Sequence, residues 1–317
     1  MIARPLVSVI VPNYCHSVYL KQRIDSILYQ TYDNLEILIL DDASPDNGAS
    51  KSVIEQYRDN PKVVSIIYNE ENSGSTFIQW SKGIEQAKGD IVWIAESDDY
   101  CEPTMLDELV SQYVKYPDSV IAYTPPVEVD EKGNRASRYR KRRNTRFSFR
   151  NMHFTGMHYI MHYLVFGCSI TNASAAIFSR RAARTIDAVY KSYPAAGDFM
   201  FWVLMAELGS VSIVNQQLSY FRRHTGTVTS KNDANGLNFI YDRKIFDYID
   251  EKYSISAFRK KLVKTKYAFR IHYTEFDNDT ICDEAKQVWA GVSDLSGFDI
   301  LCHKIYWKIV SYFQIHL

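Results

Sequence analysis

Apolar residues come in short blocks along the first 125 positions, and the blocks alternate between two spacings. Leu6–Pro12, Leu35–Leu40, Val63–Tyr68 and Ile91–Ala95 are runs rich in β-branched side chains, each bounded by turn-forming residues. Runs of this kind are apolar on both faces, as strands buried inside a parallel sheet are. Between them the spacing lengthens to that of a helix. Leu20, Ile24, Ile27 and Leu28 share one face of Tyr19–Gln30, and residues 49–58 and Thr76–Ala87 also read as helices. A helix over 103–116 and a strand at Val120–Thr124 follow. Strand and helix in alternation, with short connections, predict an α/β fold with a mostly parallel sheet and right-handed crossovers.

Past residue 125 the pattern changes. Asp130–Asn134 reads as a hairpin-like turn, and Arg135–Arg150 is strongly basic. The basic stretch is either a solvated loop, a contact for anionic lipid, or a cover over an anionic substrate. His153–Phe166 has helical spacing, Ser169–Phe178 reads as a strand, and helices start at Arg180 and near Gly197. Val211–Val214 begins a strand that leads to Leu218–His224, and residues 237–317 read as amphipathic helices rich in Tyr, Phe and Lys. That final region packs on the rest, pairs with another subunit, or lies on a membrane surface. The expected divisions are 1–125, 126–235 and a helical extension over 236–317.

Each early strand delivers a polar cluster at its carboxyl end: Pro12-Asn13-Tyr14, Asp41-Asp42, Asn72-Ser73-Gly74 and Glu96-Ser97-Asp98-Asp99. In an open α/β sheet that edge is where ligands bind. Three carboxylates at the end of a buried strand are costly unless something positive meets them. Either they hold a divalent cation that in turn holds a phosphate, or they form a solvated loop that caps the helix from Pro103. The first turn lacks the G-x-G-x-x-G fingerprint, and no G-x-x-x-x-G-K-[ST] loop occurs. A dinucleotide cofactor, and with it a nicotinamide-dependent oxidoreductase, is therefore disfavoured.

Composition narrows this only a little. The 37 basic and 37 acidic residues cancel, which argues against a nucleic-acid partner. Five scattered cysteines without C-x-x-C spacing argue against zinc and a disulfide framework and fit a reducing cytoplasm. The first residues carry no pattern of a signal peptide, and no apolar run reaches the ~18 residues of a membrane span.

The stretch from Pro5 to Asp46, followed by Asn69–Ser75, by Ala87–Tyr100 and by Gly197–Trp202, resembles the family 2 glycosyltransferases. These are inverting enzymes of the Rossmann-like GT-A fold that use nucleotide sugars, and the resemblance covers roughly residues 5–230. It implies that residues 1–125 bind the donor and 126–235 the acceptor. It implies that Pro12 and Tyr14 line the base pocket with Asn13 beside them, and that Asp42 accepts from a base N–H, that of uracil. Gly74 belongs to the donor turn, Asp98 faces the ribose or sugar, and Asp99 ligates Mn²⁺ or Mg²⁺. Asp198 aligns with the general base, and Trp202 would shape the sugar pocket. Arg222, Arg223 or His224 would reach the diphosphate, His224 with the option of completing the metal shell. Two departures stand out: Glu96 replaces the usual first Asp of the acidic motif, and the Arg expected near Trp80 is absent, with Lys82 as its nearest substitute. The implied partners are a nucleotide-sugar donor and a glycan or lipid-linked acceptor of cell-surface polysaccharide synthesis, in the cytoplasm, with peripheral contact to the inner membrane face and an oligomer as further options.

Each of these residues also has a plainer reading. Tyr14 is then a loop aromatic, Asp41-Asp42 a turn and helix cap, Asp198 an N-cap, and His224 a structural histidine. A non-catalytic sugar-nucleotide or glycan-binding module on the same fold is the alternative to an enzyme.

Overall fold

The computed structural model describes residues 4–135, 151–223, 228–289, 296–297, 300–301 and 304–305. In chain order its elements are β1 (Val7–Asn13), α1 (Ser17–Leu28), β2 (Leu35–Asp41), α2 (Ala49–Glu55), β3 (Val63–Tyr68), α3 (Thr76–Gln86) and β4 (Ile91–Ile94). There follow β5 (Tyr100–Cys101), α4 (Met105–Val114), β6 (Ser119–Tyr123), β7 (Val127–Val129), β8 (Met152–Phe154), α5 (Gly156–His162), β9 (Ala176–Ser179) and α6 (Arg180–Ala183). The last are α7 (Gly197–Ala206), β10 (Ser210–Ile213), β11 (Ser219–Arg222), α8 (Val228–Ala234), α9 (Leu237–Tyr253), α10 (Ala257–Tyr273) and α11 (Asp279–Val288).

Eight strands form one sheet in the order β3-β2-β1-β4-β9-β6-β10-β8. The run β3-β2-β1-β4 is parallel, as is β10 on β6, while β9 is antiparallel to both β4 and β6, and β8 to β10. A second sheet, β5-β11-β7, is small and adjoins the acidic strand end, since β5 follows Asp99 directly and the Arg222 N–H of β11 donates to Asp99. Every residue of β1 and β2 is buried, because helices cover both faces. Val7, Val9 and Val11 pack with Leu20, Ile24 and Ile27 of α1 on one face. Ile10 and Leu38 face the other, where Trp80 and Ile84 of α3 and the aromatics of α7 gather. That second core continues without a break into Phe239, Ile245 and Phe246 of α9 and Leu262, Val263 and Tyr267 of α10. The helical C-terminal region is therefore packed on the sheet domain.

Two sequence expectations change. His153–Phe166 is not one helix: Met152–Phe154 pairs with β10 as an edge strand, Thr155 caps α5, and Leu164–Phe166 is a 3₁₀ turn. The break is steric, since a Cβ on Gly156 would lie 1.6 Å from the Ala206 carbonyl at the end of α7. Likewise, of the run Ser169–Phe178 only Ala176–Phe178 is strand, as the start of β9, which continues to Ser179. Asn172 turns the chain before it by accepting from the Ser174 N–H. The basic segment over 136–150, His224, and most of 290–317 lie outside the described residues.

Candidate active site

The parallel strands β1, β2, β3 and β4 point their carboxyl ends the same way, so the four polar clusters meet on one edge. The β1–β2 pair is joined there by side chains: Asn13 donates through Nδ2 to Asp41 Oδ2 at 2.6 Å. Asp41 also accepts from the Ser44 N–H and hydroxyl. Asn13 Oδ1 is buried with no hydrogen-bond partner. Pro12 is enclosed within β1, whereas Tyr14 is 45% exposed at the rim.

Asp42 is 5% exposed and serves as a hub. It accepts from Asn69 Nδ2 (2.6 Å), Gln79 Nε2 (2.8 Å), the Ser73 N–H (3.0 Å), the Ser73 hydroxyl (2.7 Å) and, more weakly, Asn72 Nδ2 (3.3 Å). These bonds tie the turn 69–75 to the end of β2. Gly74 sits in that turn at φ +74°, a conformation that favours glycine. Lys82 donates to Asn69 Oδ1 at 2.5 Å, so it braces the same turn from α3.

The β4 end is built differently. Asp99 is buried and Glu96 half-buried, and their charges meet each other and Asp98. Burial first, and then the Asp98 charge, push Glu96 up to about 8 and Asp99 up to about 7. Three things oppose the rise. The Trp80 indole N–H donates to Glu96 Oε1 at 2.9 Å. Asn172 Nδ2 and the Arg222 N–H each donate to Asp99 at 2.9 Å. Arg23, fully buried against the Trp93 ring at 4.8 Å, adds a positive charge from beneath. Asp99 is 2% exposed and Asp98 is the more open of the pair.

Arg222 organises this end from β11. Its guanidinium donates to the carbonyls of Asp98 (2.8 Å), Glu131 (2.7 Å) and Asp130 (3.3 Å) and to Gln22 Oε1 (2.7 Å). It also lies over Tyr19 at 4.5 Å. The expectation that Arg222 reaches a diphosphate meets a side chain already committed to holding the acidic loop. Arg223 points elsewhere, to Glu128 at 3.4 Å and over the Phe221 ring.

Asp198 stands in the first turn of α7, its carboxylate near the N–H groups of that turn. Burial raises it to about 6; the Phe199 N–H opposes the rise, and the charge of Asp242 adds to it. The start of α7 is pressed onto α3, since a Cβ on Gly197 would lie 2.4 Å from the Phe77 ring and 2.6 Å from the Tyr190 carbonyl. Ala196 takes φ +56° to make the approach. Trp202 does not line a pocket. It is fully buried among Trp80, Phe178 and Phe201, because α7 is apolar on all sides and enclosed by core.

The site thus contains residues that sequence reasoning passed over. Trp80 links the acidic motif to α7: its indole holds Glu96 while its ring packs edge-on against Phe201 at 5.7 Å. Asn172 and Ser174 hold the Asp99 carboxylate and the Glu96 N–H. The polar Thr171-Asn172 and Ser174 inside an otherwise apolar run were the available signal.

The donor set at this strand end is oxygen only, which suits a hard cation. Among the described residues no group of three His, Cys, Asp or Glu forms a cation cage. Mg²⁺ or Mn²⁺ at a nucleotide is commonly held by one or two carboxylates, with phosphates and water completing the shell. Asp98 and Asp99 fit that shared kind of site, and their crowded charge gives a cation something to relieve. Among the described residues no helix is long and apolar enough to cross a membrane.

A family model described as Glycosyl transferase family 2 matches residues 8–185. Glycosyltransferase GlyG of Streptococcus pneumoniae is 36% identical over 107 residues, 34% of this chain and 35% of that protein. The putative teichuronic acid biosynthesis glycosyltransferase TuaG of Bacillus subtilis is 33% identical over 105 residues, 33% and 40% of the two chains. The matches span 21% to 40% of the length of the first curated relatives. Among solved structures, S. aureus TarS 1-349 in complex with UDP-GlcNAc superposes with a TM-score of 0.56 at 15% identity, covering 95% of this chain and 91% of that one. The mannosyltransferase PcManGT from Pyrobaculum calidifontis, in complex with GDP-Man and Mn²⁺, superposes with a TM-score of 0.54 at 14% identity, covering 98% and 81%. Both likenesses are of fold.

Proposed function

The chain belongs to glycosyl transferase family 2, and from that premise we propose that it is an inverting glycosyltransferase that moves a sugar from a nucleoside-diphosphate sugar to an acceptor hydroxyl. The observation that carries the reading is the α3 bracket. Trp80 of α3 bonds Glu96 at the acidic end of β4, and Phe77 of the same helix touches the start of α7, which supports reading Asp98, Asp99 and Asp198 as parts of one site. A donor phosphate and a base can be served by opposite parts of such a site.

In the proposed reaction the acceptor O–H gives its proton to an Asp198 oxygen. The acceptor oxygen bonds to the anomeric carbon, and the carbon–oxygen bond to the diphosphate breaks with its electron pair leaving on phosphate. No covalent intermediate is required, and the anomeric configuration inverts. A carboxylate raised to about 6 is mostly ionised at neutral pH, yet takes a proton more readily than an ordinary Asp. Asp99 would hold Mn²⁺ or Mg²⁺, with Asp98 toward the ribose or sugar; bound there, the ion supplies positive charge against the leaving diphosphate. Tyr14 offers the exposed ring for base stacking. Asp42 would take a base N–H by releasing its weakest present donor, Asn72. UDP is favoured as the nucleotide because the TarS complexes hold UDP and UDP-GlcNAc, and a cell-surface polysaccharide acceptor is favoured by the likeness to TuaG, a putative teichuronic acid biosynthesis glycosyltransferase. Residues 1–125 are the donor half and 126–235 the acceptor half in this reading.

The test is a donor-hydrolysis screen with UDP-, GDP- and dTDP-sugars, with and without Mn²⁺, on the wild type and on Asp198→Asn. Turnover of a UDP-sugar that needs Mn²⁺, lost by about 10²-fold or more in Asp198→Asn while UDP still binds, is the expected result. Normal turnover in Asp198→Asn would remove the base assignment. UDP binding with no turnover of any sugar would favour a non-catalytic module instead.

A further inference from the structure

His16 closes the loop after β1 and opens α1, and its side chain is spent away from its own helix. Its carbonyl accepts from the Tyr19 and Leu20 N–H groups at 2.9 and 3.0 Å, which makes it the N-cap of α1. Ser, Thr, Asp and Asn are favoured at that position because their side chains also answer a first-turn N–H. The His16 side chain makes no such cap. Its Nδ1 instead shares a hydrogen bond of 2.9 Å with the hydroxyl of Ser97, 81 positions along the chain. A local contact is given up for a distant one, and the distant one lies in the acidic motif.

Ser97 is 2% exposed. The Asp99 N–H donates to the Glu96 carbonyl at 3.2 Å, so Glu96–Asp99 closes as a β-turn with Ser97 and Asp98 at its centre. How Ser97 is held therefore bears on where Asp98 and Asp99 point. Residues late in the chain grip this turn: Ser174 accepts from the Glu96 N–H, Asn172 donates to Asp99, and the Arg222 guanidinium donates to the Asp98 carbonyl. His16 grips it from the loop after β1. That loop is itself fixed by the end of β2. Its Asn13 donates to Asp41, and Ser44 accepts from the Cys15 N–H at 2.9 Å. Cys15 takes φ +59°, and the turn it makes leaves Tyr14 exposed at the rim while His16 is half-buried on Ser97.

We propose that His16 is a positioning residue of the donor site: through Ser97 it sets the acidic turn against the loop that carries Tyr14, so that base and cation are engaged as one unit. The inference rests on the proposed donor site, with Tyr14 on the base and Asp99 on the cation. A nucleotide whose base stacks on Tyr14 stills the loop 13–16, and the His16–Ser97 bond passes that order to Asp98 and Asp99. Without the bond, base and cation are each met by a part that settles alone. The loss then falls on what the cation adds to nucleotide affinity and spares the base contact.

The test is calorimetric titration of UDP into the full chain, in Mn²⁺ and in EDTA, for the wild type, His16→Ala, Ser97→Ala and the double variant. Mn²⁺ is expected to tighten UDP binding to the wild type. His16→Ala reduces that tightening by roughly fivefold, the factor of one hydrogen bond of ordinary net strength, with UDP affinity in EDTA unchanged. Ser97→Ala gives the same loss, and the double variant loses no more than either single one, since one bond cannot be removed twice. Three results overturn the proposal: His16→Ala keeps the full Mn²⁺ effect, the losses add in the double variant, or binding weakens equally in EDTA, which marks a general loosening. A wild type whose UDP affinity ignores Mn²⁺ removes the cation reading itself, and the role of His16 with it.

Discussion

The ends of β2 and β4 both present adjacent carboxylates on the same sheet edge, and the fold treats them in opposite ways. Asp42 is surrounded by the chain's own donors, five bonds from Asn69, Asn72, Ser73 and Gln79. Its charge is spent on building the 69–75 turn. At β4 the acids crowd one another; Asn172, Ser174 and the Arg222 N–H donate to Asp99, and the Trp80 indole to Glu96. Burial without enough donors leaves those groups holding protons near neutral pH. A carboxylate met by many internal donors is held in place by them; a crowded group of carboxylates met by fewer is a place where a cation or a charged ligand is stabilising.

The comparison can be broken by exchanging the expected failures. Asp99→Ala should abolish transfer, by about 10²-fold or more, and should weaken UDP binding in Mn²⁺ while leaving thermal stability close to wild type or higher. Asp42→Ala should do the reverse in kind. It strands several donors at a cost of about 1–3 kcal/mol each where they stay buried, so the melting temperature drops by several degrees, and UDP binding falls with the lost base contact and the loosened turn. Calorimetric melting and UDP titration on both variants decide it; an unstable Asp99→Ala with a robust Asp42→Ala would invert the assignment of roles.

A second effect is pH-dependent. Glu96, Asp99 and Asp198 are raised from ordinary values of 4.5, 3.8 and 3.8 to about 8, 7 and 6. Folding therefore favours their protonated forms. The stability they contribute is fully present below about pH 4 and is lost as pH rises through 6 to 8. Ligand-free protein should melt lower at pH 8 than at pH 5.5, Glu96→Gln should flatten the decline, and UDP with Mn²⁺ should stabilise more at pH 8. Melting curves across that range that are insensitive to Glu96→Gln would show that the strand end is better compensated than the geometry indicates. The smallest expected effect is Trp80→Phe. It keeps the ring contacts with α7 but removes the N–H on Glu96, costing about 1–2 kcal/mol and reducing turnover modestly, as read in melting and initial rates.

The acidic motif was visible in the sequence because a β-branched run that ends in Glu96-Ser97-Asp98-Asp99 has few innocent explanations. Asp198 was visible only through its motif, since an Asp at a helix start is ordinary. Trp80, Asn172 and Arg222 were legible as residues but not in their roles. Trp80 meets Glu96 across 16 positions, Asn172 meets Asp99 across 73, and Arg222 meets Asp98 across 124. No local pattern encodes such pairings.

By itself the sequence determined what local periodicity and sterics control: a parallel β1–β4 core, its helices, and polar clusters on one edge. Tertiary structure alone decided how well each carboxylate is answered, because that depends on donors brought in from α3, the turn before β9, and β11. It also decided that the last helices share the core of α7. Long-range packing sets the electrostatic surroundings of a buried charge, and those surroundings separate a helix cap from a candidate base.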